Sequence, residues 1–475
     1  MAGALARTRG LLLDLLLLPV LLLVLPWILF LVVVRRRGVG TFTERLGSWR
    51  LHRTDRERIW VHCVSVGELN AVAPLLAELR AARPGSEFIL SVTTTTAREI
   101  AARSYPDLPC FLFPIDLSFV VRRVLDRVRP SALVLVELEV WPQLVLESVA
   151  RDVAVFVVNG RISARGFSRM KRLAWVARPV FRRLTEVHAR DDECAARFAA
   201  LGVPADRIHT LGNIKLDKAP LADPAAVRRG YEARFGGGVR WVAGCTHPGE
   251  ETSVLAAHRA VRERFPEATL LLAPRHVERT DAVIALVRGA GFTVARESQG
   301  RVEGAPPDVV VVDRIGVLSD LYAVGEVAFV GGSLIERGGH NILEPVLAST
   351  VPLHGPHMAN FRELACWLDG EGIAEEVSAG TLAARVIALL ENEEERAERV
   401  AAGLDRLAEA RGAAARSAER IVREIEARSP SGRARRAPRS EVRGSRTGTA
   451  EERTEDAAEG DTERSASVEL PRASR

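Results

Sequence analysis

Glu68 lies where a strand-like run gives way to a helical pattern, in the segment WVHCVSVGE. A carboxylate at such a junction is placed to act as a general base on a substrate hydroxyl, although a first-turn glutamate that only complements the helix dipole has the same sequence surroundings. Glu137 and Glu139 alternate along the extended segment VELEVWP, so they are expected to point to opposite faces and to differ in role. Arg275 and His276 close the apolar run of LLLAPRH, where they either hold a phosphate or nucleotide or simply satisfy a polar turn. Residues 327–345, VAFVGGSLIERGGHNILEP, combine a short apolar run, two glycine pairs and a helix start. Glycine lets the backbone come close to a ligand, and Asn341 is suited to cap a helix ahead of Leu343, Val346 and Leu347, so this unit is expected to cradle an anion. A plain strand, turn and helix connection is the other reading of the same residues.

These residues need a scaffold that gathers strand ends. From Ile59 onward short apolar runs alternate with helical patterns: 59–66, 88–92, 132–136 and 153–158, then, after a proline-containing break at 216–226, 241–243, 269–272, 309–312 and 327–330. Two such βα-repeating halves predict two doubly wound α/β domains facing a cleft, with ligands beyond the carboxyl ends of the strands. Ser65, Gly67, Thr93 to Thr96, Asn159, Arg161, Ser163, Thr246, His247, Gly249, Glu250, Asp313 and Arg314 fall at those ends too.

Length and composition bound the rest. The 475 residues, 47% hydrophobic, allow two or three domains. Residues 11–34 are almost wholly apolar and long enough to cross a bilayer core of roughly 30 Å. Arg35, Arg36 and Arg37 follow where a signal peptide would need small residues, so an anchor is expected, with the globular part on the cytoplasmic side. A helix lying on the membrane face places it on the same side. The expected divisions are an anchor at 1–37, a first Rossmann-like domain at 38–217, a second at 218–427, and a disordered tail at 428–475 that is poor in bulky apolar residues. Five scattered cysteines without a C-x-x-C pair fit a reducing compartment. The chain has no D-x-D pair, no G-x-x-x-x-G-K-[ST] loop and no metal-ligand spacing, so neither metal nor cofactor is expected. A formal charge of +5 with abundant arginine suits an acidic membrane surface or phosphorylated substrate, and no nucleic-acid motif accompanies it.

Together the segments ERLG, WVHCVSVGE, VELEVWP, NGRISAR, LGNIKLD, GCTHPGEE, LAPRHVER and FVGGSLIERGGHNILEP, spread from Glu44 to Pro345, resemble in type and order the 3-deoxy-D-manno-oct-2-ulosonic acid (Kdo) transferase family. The resemblance implies an inverting glycosyltransferase of GT-B fold at the inner membrane, whose first half receives a lipid A precursor and whose second half binds CMP-Kdo. It also implies that Glu68 is the base and that Glu137 contributes to activity. Nucleotide contacts would come from Arg275, His276, Gly339, His340, Asn341 and Glu344, with Lys215 helping to take up charge on the leaving phosphate. The chain departs from the family pattern at Cys245 and Gly166, where serine is usual, at Ser349, where glycine is common, and at Pro352, one position late.

Overall fold

The computed structural model describes residues 39–49, 51–300 and 304–428. The membrane segment expected at 11–34 lies outside them, as does the expected tail apart from Arg428, which ends a helix. Among the described residues no helix is long and apolar enough to cross a membrane.

Two seven-stranded sheets carry the fold. The first contains β1 (Arg58–Cys63), β2 (Glu87–Val92), β3 (Cys110–Leu112), β4 (Ala132–Val136), β5 (Ala154–Gly160), β6 (Glu186–Ala189) and β7 (Ile208–Thr210), in the order β3-β2-β1-β4-β5-β6-β7. The second contains β8 (Arg240–Thr246), β9 (Thr269–Pro274), β10 (Val294–Arg296), β11 (Val309–Val311), β12 (Val327–Val330), β13 (Val351–His354) and β14 (Glu375–Glu376), in the order β10-β11-β9-β8-β12-β13-β14. Neighbouring strands run parallel, as in β1 with β2 and β4 or β8 with β9 and β12. Parallel strands need crossovers, and the crossover helices cover both faces of a sheet, which is why central strands such as β4 and β12 read as unbroken apolar runs. Along β1 every residue is buried; Ile59, Val61 and Cys63 enter the core on one face and Trp60 the core on the other.

The strand orders fix where a ligand can sit. In each sheet the chain winds outward to one edge and then restarts beside its first strand, leaving a crevice at the switch point. In the first sheet that point lies between β1 and β4, in the second between β8 and β12.

One helix departs from the expected division. The second unit was expected to run to residue 427, but helix Ala413–Arg428 packs on the first sheet, where Ala414, Ala418, Ile421 and Ile425 join the core of Ile59, Val61 and Leu76. Those four recur at helical spacing, so one face of the helix is apolar and the first sheet supplies the matching surface. Asp217 holds the helix start: its carboxylate accepts from Gly412 N at 2.7 Å and from Ala414 N. Arg411 donates to Lys218 O at 2.9 Å, so the two chain crossings between the sheets run side by side.

Because Ile421 is fully buried in this core, Ile421→Ala is expected to cost about 2–5 kcal/mol of stability, read as a lower urea midpoint. An unchanged midpoint would contradict this packing.

Candidate active site

Ser65 is extended and its Oγ accepts from Glu68 N at 3.4 Å, which starts helix Val66–Ala71 directly after β1. Glu68 answers in kind: Oε2 accepts from Val64 N at 2.7 Å and Oε1 from the Ser65 hydroxyl at 3.3 Å. The residue therefore does belong to a helix cap. It is also more than that, because burial pushes its carboxyl up to about 7, against the pull of the Val64 amide and helped by the charges of Glu137 and Glu139.

Glu137 and Glu139 do not diverge to opposite faces as expected. β4 ends at Val136, and Glu137 turns the chain with a left-handed φ of 61°, so strand alternation no longer applies. Both come close enough to raise the Glu68 carboxyl, and both sit beside the first switch point. Glu137 Oε1 pairs with Lys215 Nζ at 2.7 Å. Glu139 Oε2 accepts from Trp141 Nε1 at 3.0 Å, and burial, with Glu137 as a lesser contributor, holds its carboxyl above the usual range. Lys215, expected from the sequence to help with the leaving phosphate, already neutralises Glu137 while also lining the cleft.

At the second switch point the expected cradle is only half present. The amides of Gly332, Ser333 and Leu334, just after β12, donate to the buried carboxylate of Glu250 at 2.7, 3.0 and 2.9 Å, so they are closed to a ligand anion. Gly339 is occupied as well. Its amide donates to Gly332 O at 2.8 Å, and a Cβ there would lie 2.2 Å from Met358 Sδ, so this glycine serves close packing. Asn341 is not the expected cap: its Oδ1 accepts from Leu343 N at 3.3 Å and its Nδ2 donates to Glu344 Oε1 at 3.1 Å, but the N-cap position falls to Ile342, which makes no side-chain cap bond. The helix behind it, Leu343–Leu347, has only five residues and offers little dipole to an anion.

An anion at this site would therefore have to be met by side chains. Arg275 is exposed, makes no ion pair among the described residues, and is anchored by its amide, which donates to Thr246 O at 2.9 Å. His340 and His247 stack nearly parallel with Nε2 atoms 3.0 Å apart, so one ring donates and the other accepts. Burial holds both below the usual imidazole value, His340 down to about 4, with Arg275 adding to the effect on each. His276 meets the His247 ring edge-on at 5.9 Å.

The two switch points meet in a cavity of about 310 Å³ whose walls include Val66 and Gly67 beside Glu68, Lys215, Arg275, His340, Asn341 and Glu344. It shares Asn70, Pro74, Lys218 and Glu344 with a wider groove of about 820 Å³ toward the chain crossings. Glu68, Glu137, His276 and Gly339 are not themselves among the walls; Glu68 follows Gly67, and Glu137 is reached through Lys215. Tyr322, Phe361 and Lys218 are among them, although no motif or strand end marks them in the sequence. Arg161, a strand-end residue, instead reaches across to Glu363 at 3.4 Å, where Arg190 also pairs. Among the described residues no three His, Cys, Asp or Glu side chains are grouped to hold a metal.

A cleft between two doubly wound sheets, with half-buried carboxylates on one side and Arg275 and His340 on the other, is the two-lobed arrangement of the GT-B class. Solved structures share the fold alone: a glycosyltransferase from Rickettsia africae (10% identity, 79% of this chain and 100% of that chain, TM-score 0.52) and UDP-GlcNAc 2-epimerase from Neisseria meningitidis (9%, 78% and 100%, 0.52). The family described as 3-deoxy-D-manno-octulosonic-acid transferase (kdotransferase) matches residues 40–218. Proteins named 3-deoxy-D-manno-octulosonic acid transferase are similar over most of the chain: that of Haemophilus influenzae is 31% identical over 75% of this chain and 84% of its own length, and that of Aquifex aeolicus 30% over 68% and 83%. The chain belongs to the 3-deoxy-D-manno-octulosonic acid transferase family, and it is a glycosyltransferase.

Lys215 neutralises Glu137, and Glu137 raises the Glu68 carboxyl. Lys215→Met should leave Glu137 uncompensated and push Glu68 further up, so the acid limb of the pH–rate profile, expected near pH 7, should move to higher pH. A limb that stays in place would uncouple Lys215 from Glu68.

Proposed function

We propose that the protein transfers Kdo from CMP-Kdo to a hydroxyl of a lipid A precursor, with inversion, at the cytoplasmic face of the inner membrane. The observation that carries the mechanism is the carboxyl of Glu68, pushed up to about 7 beside a cavity whose far wall holds Arg275. A group of that pKa is a competent base near neutral pH without being held permanently ionised. Glu68 takes the proton as the acceptor oxygen forms its bond to the anomeric carbon of Kdo; the bond from that carbon to the phosphate oxygen breaks, and CMP departs with the electron pair. Arg275 faces the charge that gathers on the phosphate, with Lys215 and the His340 and Asn341 region beside it. The carboxylates of Glu137 and Glu139 favour the positive character of an oxocarbenium-like transition state. The donor and acceptor follow from the family resemblance, and the basic wall of the cleft supports an anionic donor. The anchor expected at 11–34 would hold the cleft near membrane-borne acceptor and raise its local concentration.

Purified protein given CMP-Kdo and a tetraacylated lipid A precursor should yield a product heavier by Kdo in mass spectrometry, with CMP inhibiting and UDP not. Inhibition by UDP in place of CMP would assign a different donor. Glu68→Gln should lower turnover by on the order of a hundredfold or more with CMP affinity nearly unchanged. Near-normal turnover of the folded variant would remove Glu68 as the base and turn attention to Glu137.

The chain has no D-x-D pair, and its described residues group no metal ligands. Turnover is expected to survive EDTA; loss that magnesium restores would place a metal on the leaving phosphate.

A further inference from the structure

Glu250 begins helix Glu250–Arg264 just after β8, and its side chain is fully buried. Its carboxylate accepts four backbone N–H groups: Oε2 from His247 at 3.0 Å and Gly332 at 2.7 Å, Oε1 from Ser333 at 3.0 Å and Leu334 at 2.9 Å. Successive amides converging on one point form a nest for an anion, and here the protein fills the nest with its own. The four donors come from two loops, one after β8 and one after β12, on either side of the switch point. One of those donors is His247 itself, whose Nε2 meets Nε2 of His340 at 3.0 Å. Gly332 closes the circuit, since a Cβ at that position would lie 3.0 Å from His340 Cδ2 and 3.4 Å from His247 Cδ2.

We propose that Glu250 is a positioning residue for the donor side of the cleft: an internal anion that locks the two loops together and thereby, through the contact of His247 with His340, sets His340 in the cavity wall. This rests on the reading of that cavity as the donor phosphate site. The charge and both oxygens matter to the device. A glutamine has nearly the same size but a single acceptor oxygen, and its NH₂ would confront two of the four N–H donors. The loops would separate, and the histidine pair would lose its fixed spacing although neither ring had been altered.

The full chain in detergent tests this by calorimetric titration with CMP and by hydrogen exchange of amides 332–334 without ligand. In folded Glu250→Gln those amides should exchange at least tenfold faster and CMP should bind at least tenfold more weakly. His247→Phe keeps a stacked ring without Nε2, and should weaken CMP binding while the amides stay protected. A folded Glu250→Gln protein with wild-type exchange or wild-type CMP affinity would overturn the proposal. Should that variant fail to fold, wild-type CMP affinity in His247→Phe would overturn it instead. Wild-type protein that binds no CMP would sink the donor reading, while amide exchange in Glu250→Gln would still decide whether the carboxylate holds the loops.

Discussion

Both faces of each parallel sheet are covered by helices, and the rest of the molecule follows from that burial. Polar chemistry has no place along a strand such as β4, all five of whose residues are apolar and buried, so it collects where strands end and the chain must turn. The winding order then selects which ends matter: β1 and β4 in one sheet, β8 and β12 in the other. Glu68 and Glu137 follow the first pair, and Glu250 and the glycine loop follow the second. The cleft chemistry is a consequence of sheet topology before it is a matter of individual side chains.

Burial also sets a tension at Glu68. A carboxyl whose folded pKa of about 7 lies above its ordinary value binds a proton more tightly in the folded chain than in the unfolded one. Its contribution to stability is fully present below the ordinary carboxylate range and declines as pH rises to about 7, the region in which the proposed base must be ionised. Lys215 limits the cost by neutralising one of the two neighbouring carboxylates. Activity and stability therefore pull this corner of the cleft in opposite directions, as is common where strain or unfavourable charge is kept for function.

The fold was legible because central strands are long apolar runs: 132–136 and 327–330 coincide with β4 and β12. Edge strands were not. β3, β7 and β10 have three residues each, and β14 has two, which is too short for any periodicity to register. The site residues were legible as strand-end positions, but their partners depend on long-range geometry. Nothing local says that Lys215 meets Glu137, that Glu250 fills the loop after β12, or that Glu137 itself turns left-handed. Ser349 shows the reverse case: glycine is common there in the resembling family, and the position proves to have a φ of 62°, which glycine adopts without strain.

Helix Ala413–Arg428 gives the chain an order of assembly. The first sheet is complete in sequence by Thr210, yet part of the cover on one of its faces is made by residues that follow the whole of the second sheet. During synthesis the first half must wait, with apolar surface unshielded, until some two hundred further residues have left the ribosome (413 − 210 = 203). A nascent chain interrupted between the two crossings would present that surface to chaperones or to other chains, so the two halves, though each is built as a doubly wound sheet, mature as one unit.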